Sequence, residues 1–185
     1  PNLYTAVISL YDKKTGTHYE SVSQNIGFRK LTFTSTKVTS DGKYNNATDY
    51  YDTVKLNGKR LLIKGVNRHD TDPETGKYDL SVTKEEMEWD VKFLKEHNFN
   101  AVRTSHYPND DYLYYLCDKY GLYVMCESNN ESHAINSDEI KLSKLETAAL
   151  TRQSASYERF KNTTCNLFWS IGNESSQGWS QHDGD

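Results

Sequence analysis

This sequence has no excess of positive charge. Over 185 residues, 22 Lys and Arg are outnumbered by 26 Asp and Glu, for a net charge of -4. The basic residues are scattered, so there is no field to hold a phosphate backbone, and nucleic acid is excluded as the principal partner. Also missing is any apolar run near the roughly 18 residues that cross a bilayer. The opening Pro1-Asn2-Leu3-Tyr4 lacks the charged and apolar regions of a signal peptide, so no membrane partner and no secretory route are expected. Cysteine is scarce. Cys117, Cys126 and Cys165 are odd in number, widely spaced and set in apolar surroundings, which reads as reduced buried thiols in a cytoplasmic setting rather than a disulfide framework. The first residue is not Met, and the chain stops in polar residues just after its most informative motif; a piece of a longer protein is expected.

What is present describes an ordered soluble protein, with 35% hydrophobic and 26% charged residues ruling out disorder. Residues 3–10, 19–24 and 28–34 are rich in β-branched and aromatic types, and the first two are separated by the turn sequence Asp12-Lys13-Lys14-Thr15-Gly16. They read as the closing strands of a β-sandwich, too few to close one alone. Residues 41–52 are polar and read as a linker. Asn57-Gly58 between two strand patterns predicts a hairpin whose second arm continues through residues 64–70.

Strands and helices then alternate. Thr83 with Glu86 forms a capping box, Val82 with Met87 a hydrophobic staple, and Met87, Val91, Phe93 and Leu94 mark the buried face of a helix ending near Asn98. A strand at 101–104 leads to Ser105-His106-Tyr107-Pro108. A helix over 110–120 stops at Gly121 as its C-cap, a strand follows at 122–126, and a third helix over 143–160 precedes the stretch Phe168-Trp169-Ser170-Ile171-Gly172-Asn173-Glu174-Ser175. The order β-α-β-α-β-α-β predicts an α/β fold with a parallel sheet and right-handed crossovers, the N-terminal part of a (β/α)8 TIM barrel with about four of its eight strands. Each strand is followed by polar, ionisable residues. In such barrels the C-terminal strand ends carry the active site.

Val66-Asn67-Arg68-His69-Asp70, Asp72-Pro73-Glu74-Thr75-Gly76, the run from Ala101 to Asn109, Tyr120-Gly121-Leu122-Tyr123-Val124, Glu131-Ser132-His133 and Trp169-Ser170-Ile171-Gly172-Asn173-Glu174-Ser175 occur in that order. Together they resemble the glycoside hydrolase family 2 β-galactosidases. The resemblance implies a longer enzyme, with residues 1–52 as the C-terminal part of an immunoglobulin-like β-sandwich and 53–185 as the first half of the catalytic barrel. It implies hydrolysis of terminal non-reducing β-D-galactosides with retention, the remainder of the parent enzyme as partner, and a homo-oligomer in full-length form. β-Glucuronidases share the Ser-His-Tyr-Pro and Asn-Glu elements, but the Asp-Pro-Glu-Thr-Gly, Glu-Ser-His and Gly-Asn-Glu-Ser stretches fit the galactosidase branch better.

Retaining glycosidases need two carboxyls about 5 to 5.5 Å apart, a nucleophile and an acid/base. By resemblance Glu174 is the acid/base, the nucleophile is a Glu beyond residue 185, and Asn173 binds the hydroxyl beside the reacting carbon. A plainer reading makes Glu174 a helix N-terminal carboxylate and Asn173 a strand-end cap. His69 and His106 match substrate-contacting histidines. Arg103 matches an Arg that steadies the nucleophile, with an internal salt bridge as the alternative, and Glu127 and Asp70 read as partners for Arg103 or Arg68. Glu131, His133 and Glu174 match the ligands of a magnesium site; two carboxylates suit a hard divalent cation, an imidazole also tolerates manganese, and the full enzyme leaves room for sodium.

Cys126, Asn130 and Ala134 depart from the family pattern, which usually has Asp, an apolar residue and Gly there, so the loop with Glu131 and His133 is where a change of shape is expected. Phe160, Thr163 and Thr164 also depart from it. Two readings from different classes follow: part of a glycosidase, inactive by itself, or a catalytically silent segment that associates through its open sheet edges. An amidohydrolase-type barrel would want His-x-His at the first strand, where Asn67-Arg68-His69 stands.

Overall fold

The computed structural model describes residues 2–38, 49–71, 82–131 and 139–174. The chain divides into two compact units, residues 28–63 and residues 1–27 with 64–185.

In the smaller unit three antiparallel strands, β3 (Leu31–Val38), β4 (Asp49–Leu56) and β5 (Lys59–Arg60), form a sheet in that order. The expected Asn-Gly hairpin is there. Asn57 (φ 50°) and Gly58 (φ 81°) occupy the two left-handed positions that a tight two-residue turn demands, and Leu56 pairs with Lys59 across it. The Asn57 side chain also accepts from the Lys30 amide at 2.8 Å. Two features differ from the sequence reading. The second arm ends at Arg60, and the chain begins a strand of another sheet at Gly65. The boundary expected after Asp52 falls inside β4, which pairs with β3 from Leu31↔Leu56 to Val38↔Asp49 without a break, so a ladder holds residues read as linker. Residues 41–48 of that linker lie outside the described residues.

The larger unit opens with an antiparallel pair, β1 (Tyr4–Tyr11) and β2 (His18–Ile26). Its turn is organised by Asp12, whose carboxylate accepts from the amides of Thr15 (2.6 Å) and Lys14 (2.8 Å) and from the Tyr19 hydroxyl (2.9 Å). These bonds to the charged form hold the Asp12 carboxyl at about 2.

Four parallel strands follow: β6 (Gly65–Arg68), β7 (Ala101–Thr104), β8 (Tyr123–Glu127) and β9 (Asn166–Ser170). They lie side by side in sequence order, joined by α1 (Lys84–Glu96), α2 (Asp111–Tyr120) and α3 (Glu139–Phe160), the strand–helix alternation of a partial (β/α) barrel. At the start of β6 a Cβ on Gly65 would sit 3.1 Å from Ala101 in the neighbouring strand, close enough that a larger residue would have to push that strand away. Helix α1 carries the complete capping box between Thr83 and Glu86. Helix α2 ends on Gly121 with φ 78°, a left-handed cap that costs glycine nothing sterically. Helix α3 starts at Glu139, a turn before the expected Ser143.

Between sheet and helices lies the core: Met87, Val91 and Leu94 from α1, Leu113 and Leu116 from α2, and Val124 from β8. Removal of each such side chain from water contributes about 1.5–3 kcal/mol. The Tyr114 and Phe160 rings stack at 4.0 Å and join α2 to α3. All three cysteines are free and buried. Among the described residues no helix is long and apolar enough to cross a membrane.

Candidate active site

Because all four strands of the parallel sheet run the same way, their C-terminal ends bring His69, His106, Glu127 and Asn173 to one edge. Glu127, the last residue of β8, is the hub. Its side chain is fully buried, and it takes partners from two neighbouring strands and a strand-end loop. One oxygen, Oε2, accepts from Arg103 Nε of β7 and from Ser170 Oγ of β9 (2.7 Å), while Oε1 meets His106 Nδ1 at 2.7 Å. The Glu127 amide donates to Thr104 Oγ1 at 3.1 Å. Burial disfavours the charged carboxylate, but the hydrogen bonds from Arg103, Ser170 and His106 outweigh it, and the group lies below the usual carboxylate range.

Arg103 carries the network onward. Its Nη2 donates to Asn173 Oδ1 at 3.0 Å, and Asn173 Nδ2 donates to Glu131 Oε1 at 3.1 Å. The backbones of Glu131 and Asn173 form a bridge, with the Asn173 amide donating to Asn130 O at 2.9 Å. This ties the loop after β8 to the loop after β9, beside Glu174. Glu174 is exposed and has φ 46°, an uncommon backbone state for a residue with a side chain. The ring of His69 packs edge-on against His106 with centroids 5.3 Å apart.

A second ion-pair cluster flanks the first. Arg68, buried at the end of β6, donates to Asp90 (2.9 Å), to Asn109 (2.8 Å) and to Asp70, while the Tyr107 hydroxyl accepts from the Asp70 amide at 3.1 Å. Asp70 and Glu127 are therefore the ion-pair partners of Arg68 and Arg103 respectively.

Arg103, His106, Glu131 and Asn173 are thus joined in one hydrogen-bonded chain, with His69 against it and Glu174 the next residue along. His133 lies outside the described residues, as do Asp72 to Gly76 and Ala134. Sequence reasoning gave Glu127 only a supporting place and passed over Ser170 and Thr104. A carboxylate at the last position of a strand is a usable signal, but its complete burial is not legible in sequence. The departure at Cys126 falls on the helix side of the sheet, where the thiol meets Tyr114 (3.2 Å) and Ser156 (3.4 Å), since adjacent strand residues point to opposite faces.

The family described as "Glycosyl hydrolases family 2, TIM barrel domain" matches residues 48–183. The chain belongs to glycosyl hydrolase family 2. Among curated relatives, a β-galactosidase of Clostridium acetobutylicum is 43% identical over 96% of this chain and 19% of its own length. The β-galactosidase large subunit of Lactobacillus helveticus is 40% identical over 96% of the chain and 27% of its own length. The family 2 chain therefore spans about a fifth to a quarter of these relatives. Of solved structures, β-glucuronidase 3 of Bacteroides uniformis superposes with a TM-score of 0.67 at 25% identity, covering 95% of this chain and 19% of its own. A β-glycosidase from Bacteroides vulgatus gives 0.65 at 28% identity, covering 93% and 20%.

For this family 2 chain, the donor types bear on a metal. Among the described residues no three His, Cys, Asp or Glu side chains gather as a metal site. The bridge between Glu131 and Asn173 nevertheless links two loops that each carry a carboxylate, Glu131 and Glu174, and such oxygen donors fit a hard divalent cation.

Proposed function

We propose that this chain supplies the acid/base half of a retaining β-galactosidase. The observation that supports it is the hydrogen-bonded line from His106 through Glu127 and Arg103 to Asn173, which fixes the residue preceding Glu174 at the strand ends. Glu174 first protonates the leaving oxygen and then activates water. A second carboxylate, on polypeptide following Asp185, attacks the sugar from the opposite side. Asn173, His69 and His106 hold substrate hydroxyls. The Arg103 guanidinium offers positive charge to the nucleophile while remaining paired with Glu127.

Glu131, Glu174 and His133 would hold magnesium, or manganese in its place, and sodium belongs to the full-length enzyme in the same reading. The ion would supply positive charge beside Glu174. Buried free thiols support a cytoplasmic setting. A homo-oligomer and a galactoside substrate come from the likeness to β-galactosidases.

The test is hydrolysis of an aryl β-galactoside by residues 1–185 alone and with the downstream polypeptide supplied. Turnover is expected only in the second case; robust turnover by the short chain would overturn the location of the nucleophile. The likeness to a β-glucuronidase structure favours one competing substrate, so an aryl β-glucuronide is assayed in parallel. Preference for it would replace galactoside with glucuronide. No hydrolysis of either, even with the downstream polypeptide supplied, would leave the reading of a silent association segment.

A further inference from the structure

Glu127 cannot touch a substrate, because its side chain is fully buried, while its two ion-pair neighbours, Arg103 and His106, are 25% and 24% exposed. Whatever it contributes, it contributes through them. Its two oxygens are divided between two tasks. Oε2 accepts from Arg103 Nε, which can only donate, and from Ser170 Oγ, which also faces Gly172 O at 3.2 Å, and among the described residues Oε1 meets His106 Nδ1. Arg103 Nη2 also lies 3.4 Å from this nitrogen, but the carboxylate contact at 2.7 Å is much the shorter, and a carboxylate accepts and does not donate, so that contact sets the proton of the neutral imidazole on Nδ1. The edge-on contact with His69 then limits rotation of the ring.

We propose that Glu127 is a positioning residue that fixes the His106 tautomer, leaving Nε2 as a hydrogen-bond acceptor for a substrate hydroxyl, and that it holds Arg103 against Asn173 with its other oxygen. This rests on the reading of the strand ends as a sugar site. It adds the direction of one hydrogen bond: the sugar hydroxyl donates and His106 accepts. A ligand presenting only an acceptor at that point, such as an ether oxygen in place of the hydroxyl, is disfavoured by the same logic.

Two measurements test it. The first needs no turnover: ring 15N shifts of His106 in the histidine-labelled chain, assigned by their loss in His106→Gln, read with the ring neutral. The native chain is expected to carry the proton on Nδ1. In Glu127→Gln the amide oxygen is claimed by Arg103 and Ser170, so the amide N–H faces the ring and the proton moves to Nε2. A native proton on Nε2, or an unmoved proton in the variant, overturns the proposal; should the variant not fold, the native tautomer decides alone.

The second measurement uses the full-length enzyme. Glu127→Gln is expected to lower kcat/KM about tenfold to hundredfold, the scale for losing a group that orients a site histidine. Adding His106→Ala should cost little more, since in Glu127→Gln the ring no longer offers the acceptor that His106→Ala removes, and the loss through Arg103 is common to both. Fully multiplicative losses would overturn it. If the unaltered enzyme hydrolyses no glycoside, the functional reading falls, and the tautomer measurement still decides the role of Glu127.

Discussion

Glu127 and Glu174 are the same side chain in opposite settings, one sealed beneath the strand ends with three side-chain partners, the other exposed on a loop with a left-handed backbone. Environments this different are how two carboxylates take separate roles. For Glu127 the consequence is a pH dependence of stability. Its folded pKa is depressed, so its contribution is complete above the unfolded value of about 4.5 and is lost as pH falls through the lower folded value. Thermal unfolding of the native chain and of Glu127→Gln, followed from pH 7 to pH 3, should differ most at neutral pH and converge on acidification; parallel curves would contradict the assignment. For Glu174, Glu174→Gln in the full-length enzyme should lower kcat about 10²- to 10⁴-fold, with the larger losses for aryl leaving groups of high pKa, because only those need a proton. A loss independent of the leaving group would speak against an acid role.

At the scale of elements, sequence and structure agree where the signal is local. The capping box of α1 is a three-residue relation, and both of its reciprocal bonds form, Glu86 N to Thr83 Oγ1 at 3.2 Å and Thr83 N to Glu86 Oε2 at 2.7 Å. Thr83→Ala should therefore destabilise the chain by about 1 kcal/mol, read as a lower urea midpoint at unchanged slope. The Asn57-Gly58 turn and the Gly121 cap were legible for the same reason: each residue type is selected by a backbone angle at its own position. The end of β5 at Arg60 was not. Nothing local distinguishes residues 61–63 from a continuing strand: the partner of β5 is its own hairpin neighbour β4, and what draws the chain away is the pairing of Gly65 with Ala101, far along the sequence.

Across the whole molecule, the helices shield one face of the parallel sheet, and the thiols report on how well. Burial pushes Cys117 up to about 12 and raises Cys126 and Cys165 as well, so all three stay protonated and enclosed. Labelling by a maleimide at pH 8 should be at least about 100-fold slower in the native chain than in denaturant, since reaction must wait for opening. Rapid native labelling of all three would mean that this layer does not close in the isolated chain.

The order of strands and helices, with their caps and turns, follows from the amino-acid sequence because periodicity and capping act within a few residues, and the motifs that mark family 2 are read from it directly. Which polar groups meet is set by the fold. Arg103 and Asn173 are 70 positions apart, Ser170 and Glu127 are 43, and Arg68 reaches Asp90 and Asn109 at 22 and 41. Parallel strand ends bring such residues together, and burial then makes each unpaired charge too costly to leave alone. That is why Glu127, a minor acid in the sequence, is the centre of the site in the fold.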